Sequence, residues 1–158
     1  MRVVRLCNGL LEAQLVFNAL RFRDEEAVEV FMAAAAEGVD LVEIETKGAS
    51  YRQDVLEAIS GPKGETGKRM LVGLTLRCEP DNAHDPHAVR IEIMGQHIGY
   101  VSRRDAALLG PRLSANCGGA IEARGLVVGG WKHDRSEGTY GVRVWLTSDD
   151  MLRIGAPL

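Results

Sequence analysis

The run Glu79-Pro80-Asp81-Asn82-Ala83-His84-Asp85-Pro86-His87-Ala88-Val89 concentrates more chemistry than any other stretch of this chain. It joins two apolar, strand-like runs, and a segment so rich in polar side chains belongs at the surface. Pro80 and Pro86 fix the backbone and lower the entropy lost when a ligand is gripped. Three chemistries fit these residue types. A carboxylate such as Asp85 accepts a hydrogen bond from a free hydroxyl and repels a phosphate. Asp81, His84, Asp85 and His87 are all metal-ligand types, although their spacing matches no metal motif. An Asn/Asp turn that merely shapes a hairpin needs the same residues.

Other side chains suit a charged, flat ligand. A ring beside a base contributes about 1–3 kcal/mol per stack and tolerates any sequence. Tyr51, Tyr100 and Trp131 supply such rings, and aromatics make up only 5% of the chain, so each one matters. Trp131 sits in a glycine-flanked loop, where an exposed indole is expected. Arg103, Arg104 and Lys132 are candidates to neutralise phosphates. Arg103 and Arg104 open a helix, where the dipole disfavours cations, so their placement favours a ligand role.

These residues need elements to hold them. Val39–Thr46 reads as a strand with Val42, Ile44 and Thr46 on one face. Ser50 and Gln53 form a capping-box pattern for a helix carrying Val55, Leu56 and Ile59, ended by Gly61-Pro62. Met70–Cys78 and His87–Met94 alternate as strands, with Arg90 and Glu92 opposite the apolar face. Gly95-Gln96 is a tight turn that folds His97–Val101 back on the preceding strand. Ser102 caps a short helix that Gly110-Pro111 should stop, and Ala120–Val128 and Thr139–Thr147 complete the strands. The loop Gly129–Gly138 joins those last two. About six strands and two short helices imply a mainly β, α+β architecture, a small SH3- or OB-like barrel.

Residues 1–38 read as a helical extension, with Val3–Leu6 as a possible short strand. Asp24 is a good N-cap for an acidic helix over Asp24–Glu37, which Gly38 ends. The expected division is thus 1–38 extension, 39–148 barrel and 149–158 tail.

Three blocks carry a resemblance to a known family: "GASYRQ" at 48–53, "EPDNAHDPHAV" at 79–89 and "GQHIGYVSRRDAALL" at 95–109. In that order and spacing, the segment from about Val42 to Leu146 resembles a HIRAN domain. The resemblance implies a small β-barrel that binds single-stranded DNA at its 3′ end. The family occurs in fork-remodelling and chromatin-type helicases and as stand-alone bacterial proteins. By position, Tyr51 matches a tyrosine that stacks on a base, and Asn82 and Asp85 match the polar pair that recognises the terminal hydroxyl. His84 stands where well-characterised relatives carry a second stacking tyrosine. Tyr100 and Arg103 match positions lining the DNA groove. Ser50 replaces an arginine that precedes the tyrosine in a eukaryotic relative, removing a phosphate contact.

Composition is compatible with that reading. The net charge is −3, but residues 1–46 hold 4 Lys/Arg against 9 Asp/Glu, so the remainder is mildly basic and permits phosphate contacts. The three cysteines, Cys7, Cys78 and Cys117, form no CxxC pair, which argues against a zinc ribbon or disulfide framework. No stretch is apolar enough for a membrane helix, and the N-terminal apolar run is too interrupted for a secretion signal. There is no GxSxG, HExxH or P-loop order; Gly61–Arg69 has the glycines and lysines of a P-loop but not their sequence.

The expectation is therefore a cytoplasmic, non-catalytic module without cofactor, gripping the 3′ end of single-stranded DNA in repair or replication. A helicase or nuclease is a candidate partner, and a homodimer through the N-terminal helix is possible. Two alternatives remain open at this stage. One is a protein-interaction or assembly module using the acidic N-terminal helix. The other is a metal-dependent hydrolase built on Asp81–His87.

Overall fold

The computed structural model describes residues 2–4 and 41–157. The expected helix Asp24–Glu37, and any dimer contact through it, lie outside the described residues. Arg2–Val4 forms strand β1, the strand alternative for that end of the chain.

Strand β2 (Leu41–Ile44) and strand β3 (Thr46–Lys47) form one extended segment interrupted at Glu45. A single turn of 3-10 helix (Ala49–Tyr51) leads into helix α1 (Gln53–Ser60). Strands β4 (Lys68–Cys78), β5 (Val89–Ile93) and β6 (Gln96–Val101) follow, then helix α2 (Arg103–Asn116). Strand β7 (Ala120–Gly129), the short hairpin β8 (Lys132–His133) and β9 (Ser136–Glu137), strand β10 (Tyr140–Thr147) and helix α3 (Ser148–Ile154) complete the chain.

The main sheet runs β1-β2-β10-β7-β4-β5-β6-β3. Because β2 and β3 are consecutive, β3 at one end of this order is joined directly to β2, second from the other end. Leu41–Ile44 pairs with β10, while Thr46 and Lys47 pair with Val101 and Tyr100 of β6. The hydroxyl of Thr46 also donates to the carbonyl of Val142, 2.8 Å away on β10. The result is the small, nearly closed barrel expected.

Alternation explains what fills it. Leu74 and Leu76 of β4, Val89, Ile91 and Ile93 of β5, and Val142, Val144 and Leu146 of β10 are buried on the inner face. Each such side chain contributes roughly 1.5–3 kcal/mol through area removed from water. Leu56 of α1, Leu109 and Leu113 of α2, and Met151 and Ile154 of α3 cover the rest of the core.

Four local expectations are corrected. The α1 N-cap is Arg52, without a side-chain cap, and Ser50 lies in the 3-10 turn. Gln53 is used elsewhere: its amide donates to the carbonyls of Ala49 and Tyr140 and accepts from the Tyr140 N–H. The β5–β6 turn is Met94-Gly95, with φ of 51° and 76°, the pattern of a two-residue hairpin turn in which both positions are left-handed. Residues 149–158 are not a free tail, because Ser148–Ile154 is helical and docks Met151, Ile154 and Ala156 into the core. Thr147 and Asp150 form a reciprocal capping box at its start.

The fourth correction concerns α2. Ser102 does cap it, accepting from the Asp105 N–H. The helix does not stop at Gly110-Pro111 but continues to Asn116. Pro111 leaves a helical carbonyl without its usual donor, yet Arg112 donates from its guanidinium to the neighbouring Leu108 carbonyl, 2.9 Å away. Gly110 is there for packing rather than termination. A Cβ at Gly110 would stand 2.7 Å from the His87 carbonyl oxygen, so only glycine lets the 79–88 loop rest on the helix.

That contact reverses a common rule. In an open helix, Gly→Ala gains about 1 kcal/mol. Gly110→Ala is instead expected to lose about 1–2 kcal/mol through backbone overpacking, read as a lower urea midpoint. An unchanged or raised midpoint would show that the loop does not rest on α2.

Candidate nucleic-acid interface

The Glu79–Ala88 loop is built by its own side chains. Asn82 Oδ1 accepts from the backbone N–H groups of His84 (3.0 Å) and Asp85 (3.2 Å), and its Nδ2 donates to Glu79 Oε2 at 3.0 Å. Asp85 Oδ1 accepts from the His87 N–H at 2.9 Å. Backbone bonds from Glu79 N to Ala88 O and from Ala88 N to Asp85 O close the base of the loop. The Asn/Asp turn is therefore real, and it shapes the loop between β4 and β5.

A pocket of about 250 Å³ opens beside this loop, lined by Asn82, His84, Asp85, Ala88, Tyr100, Val101 and Arg103. Asn82, His84, Asp85, Tyr100 and Arg103, all singled out from sequence, thus meet at one place. His84 is exposed. Asp85 is mostly covered, and its second carboxylate oxygen has Arg103 Nε 3.6 Å away, an ion pair too long for a hydrogen bond. That oxygen retains acceptor capacity on the pocket wall.

Tyr100 forms a fixed wall. Its hydroxyl donates to Glu79 Oε2 at 3.0 Å, and its ring meets His97 edge-on with centroids 4.6 Å apart. Burial and the bond to Glu79 push the phenol above its ordinary pKa, so it stays protonated as a donor. Burial alone would push the Glu79 carboxyl up. Hydrogen bonds from Asn82 and Tyr100 and the charge of Arg90 outweigh that and bring it below the usual range. Glu79 is the hinge of the arrangement, since it holds the Asn82 amide, the Tyr100 hydroxyl and, at 3.1 Å, Arg90 Nη1.

Beneath it lies a second carboxylate. Glu92 is only 6% exposed, and it takes Arg77 Nε at 3.2 Å and a close contact from Arg90. Sequence reading placed Arg90 and Glu92 on one face but not as partners. It also missed Arg52 and His97, whose Nη2 and Nδ1 are 3.1 Å apart.

A β-bulge explains part of this. Arg90 pairs with Tyr100 and Ile91 with Gly99, but Glu92 pairs with His97, so Ile98 is the extra residue. His97 and Tyr100 are three apart, and regular alternation would send them to opposite faces. The bulge puts both on the face of Arg90 and Glu92, while Ile98 stays buried.

The remaining sequence candidates fall elsewhere. Tyr51 is 86% exposed in the 3-10 turn, next to Arg52. Arg104 is engaged by Asp105 at 3.2 Å and Glu45 at 3.5 Å. Trp131 is half-buried, contrary to the exposed indole expected: it lies against Gly138, where a Cβ would be 2.1 Å from the indole nitrogen. Trp131 and the exposed Lys132 sit near Gly64 and the Lys68 end of β4, while the pocket loop follows Cys78 at its other end. Eleven residues of strand separate the two ends, roughly 30 Å of contour. The structure does not bring Trp131 or Lys132 to the pocket.

Among the described residues, no group of three His, Cys, Asp or Glu side chains is placed to hold a metal ion. None of the described helices is long and apolar enough to cross a membrane.

No curated protein and no solved structure matches the chain. The family model of the HIRAN domain matches residues 39–131, from the start of the barrel to the end of β7 and just beyond. That span includes the pocket loop, the bulged strand and the exposed tyrosine. With more than half of its length matched and the barrel in place, the chain belongs to the HIRAN domain family.

Proposed function

We propose that this protein binds the free 3′-hydroxyl end of single-stranded DNA and catalyses no reaction on it. HIRAN domains are known for binding DNA, which supports the ligand class. The observation that carries the finer reading is the Asp85 carboxylate. One oxygen is spent on the His87 N–H, and the other is left on the wall of a pocket of about 250 Å³ with Arg103 at ion-pair distance.

In this reading the terminal hydroxyl donates to Asp85. Asn82 holds the turn that aims Asp85, and its second amide hydrogen remains available to the sugar. His84 and the exposed Tyr51 offer rings to the last bases, and Arg103 meets a phosphate. A repair or replication setting, with a helicase or nuclease supplying the end, fits such a grip.

The test is fluorescence anisotropy with short single strands that end in a 3′-hydroxyl or a 3′-phosphate, and with a blunt duplex. The hydroxyl-ended strand is expected to bind tightest, by about tenfold or more over the phosphate-ended strand. Its affinity should fall with salt as phosphate contacts release counterions. Equal affinity for both ends would remove the role of Asp85. Binding that ignored salt would favour a protein-interaction module instead.

A further inference from the structure

Arg52 is set apart from the other arginines on this face. Arg77 and Arg90 both pair with Glu92, and Arg90 also with Glu79. Arg103 pairs with Asp85, and Arg104 with Glu45 and Asp105. Among the described residues no carboxylate pairs with Arg52. Its side-chain partner is His97, whose own bonding shows which nitrogen carries the proton. His97 Nε2 lies 3.1 Å from the Gly99 carbonyl, which can only accept, so Nε2 donates there. Nδ1 is then a lone pair, and the Arg52 guanidinium donates to it.

A neutral imidazole thus orients the guanidinium without neutralising it. Burial first, and then the charges of Arg52 and Arg90, keep His97 below its ordinary pKa, consistent with the neutral ring. Arg52 is half-buried, so its orientation is held. Two neighbours point to what it would meet. Tyr51, the adjacent residue, presents an open ring. The guanidinium and that ring thus stand side by side at the start of α1. His97 in turn touches Tyr100, which lines the pocket.

We propose that Arg52, positioned by His97, holds an internal backbone phosphodiester of the same strand whose end occupies the Asp85 pocket. The proposal rests on the end-binding reading above and adds a second anchor to it. Gripping an internal phosphate as well as the end would set the direction in which the strand leaves the pocket.

The test uses hydroxyl-ended single strands, each carrying one uncharged methylphosphonate linkage at successive positions from the end. With the wild-type protein, one linkage is expected to cost about tenfold in affinity when neutralised, the scale of a charged hydrogen bond. Arg52→Gln should bind the all-phosphate strand about tenfold more weakly, be indifferent to that same linkage, and show a salt slope shallower by about 0.7. Arg52→Lys, which keeps the charge without the planar fork, should regain part of the loss. His97→Leu should blunt the sensitivity to that same linkage. If wild type binds the strands but Arg52→Gln keeps the same affinity and linkage pattern, this proposal is overturned and the end-binding reading stands. If wild type binds no strand, both are overturned.

Discussion

Asp85→Asn is expected to abolish the preference for a hydroxyl end over a phosphate end while leaving the fold intact. The substitution keeps the Oδ1 acceptor that caps the His87 N–H, so the loop retains its shape. What changes is the charge on the pocket wall. In the native site, a terminal hydroxyl gains a charge-assisted hydrogen bond, and a terminal phosphate meets a carboxylate head-on. At an effective dielectric near 20, two unit charges 4 Å apart repel by about 4 kcal/mol. Arg103 offsets part of that repulsion, but its side chain is 79% exposed and largely screened. A net discrimination of about 1–3 kcal/mol, or roughly tenfold to a hundredfold, follows from these magnitudes. In Asp85→Asn the hydroxyl-ended strand should weaken about tenfold. The phosphate-ended strand should bind better than it does to wild type, because an amide donates where a carboxylate repelled. A variant that weakened both strands by the same factor would mean that Asp85 only shapes the loop.

Much of this site is legible in the sequence. The polar, proline-framed run between two apolar strands marked the loop, because alternation of Val89, Ile91 and Ile93 fixes which side is core and leaves Asn82, His84 and Asp85 outside it. The three sequence blocks brought Tyr100 and Arg103 to the same pocket. Three kinds of information were not legible. A single extra residue in β6 reverses the facing of everything beyond it, so His97 could not be placed beside Tyr100 by counting. Cross-strand register sets Arg77 opposite Arg90 and Thr75 opposite Glu92, and no local pattern specifies it. Glycine is ambiguous: at Gly110 the close approach of the His87 carbonyl, not a helix stop, requires it. Trp131 failed for a related reason, since glycine at 138 opens a slot that the indole fills.

The hidden carboxylate beneath the site should be the largest single polar contributor to its stability. Glu92→Ala is expected to cost about 2–3 kcal/mol at pH 7. Breaking a buried ion pair typically costs 3–5 kcal/mol. The lower figure applies because the Arg77 side chain is 49% exposed and that of Arg90 33%, so both cations can recover some hydration. The pH dependence separates this mechanism from simple loss of packing. Burial pushes the Glu92 carboxyl up, but bonds and charges from Arg90 and Arg77 overcome it and leave the group below the usual carboxylate range. A depressed folded-state pKa stabilises the protein above the unfolded value, about 4.3 for glutamate. That stabilisation is lost as pH falls through the folded value. The gap between wild type and Glu92→Ala in urea unfolding should therefore be full at pH 7 and narrow progressively below about pH 4. The variant should itself keep some acid sensitivity through Glu79, whose carboxyl is lowered in the same direction by Asn82, Tyr100 and Arg90 acting against burial. Because Glu92 holds Arg90, Arg90 holds Glu79, and Glu79 holds both Asn82 and Tyr100, end binding should weaken in the variant as well. A gap that stayed constant from pH 7 to pH 3 would assign the loss to a cavity and break the link between this ion network and the binding loop.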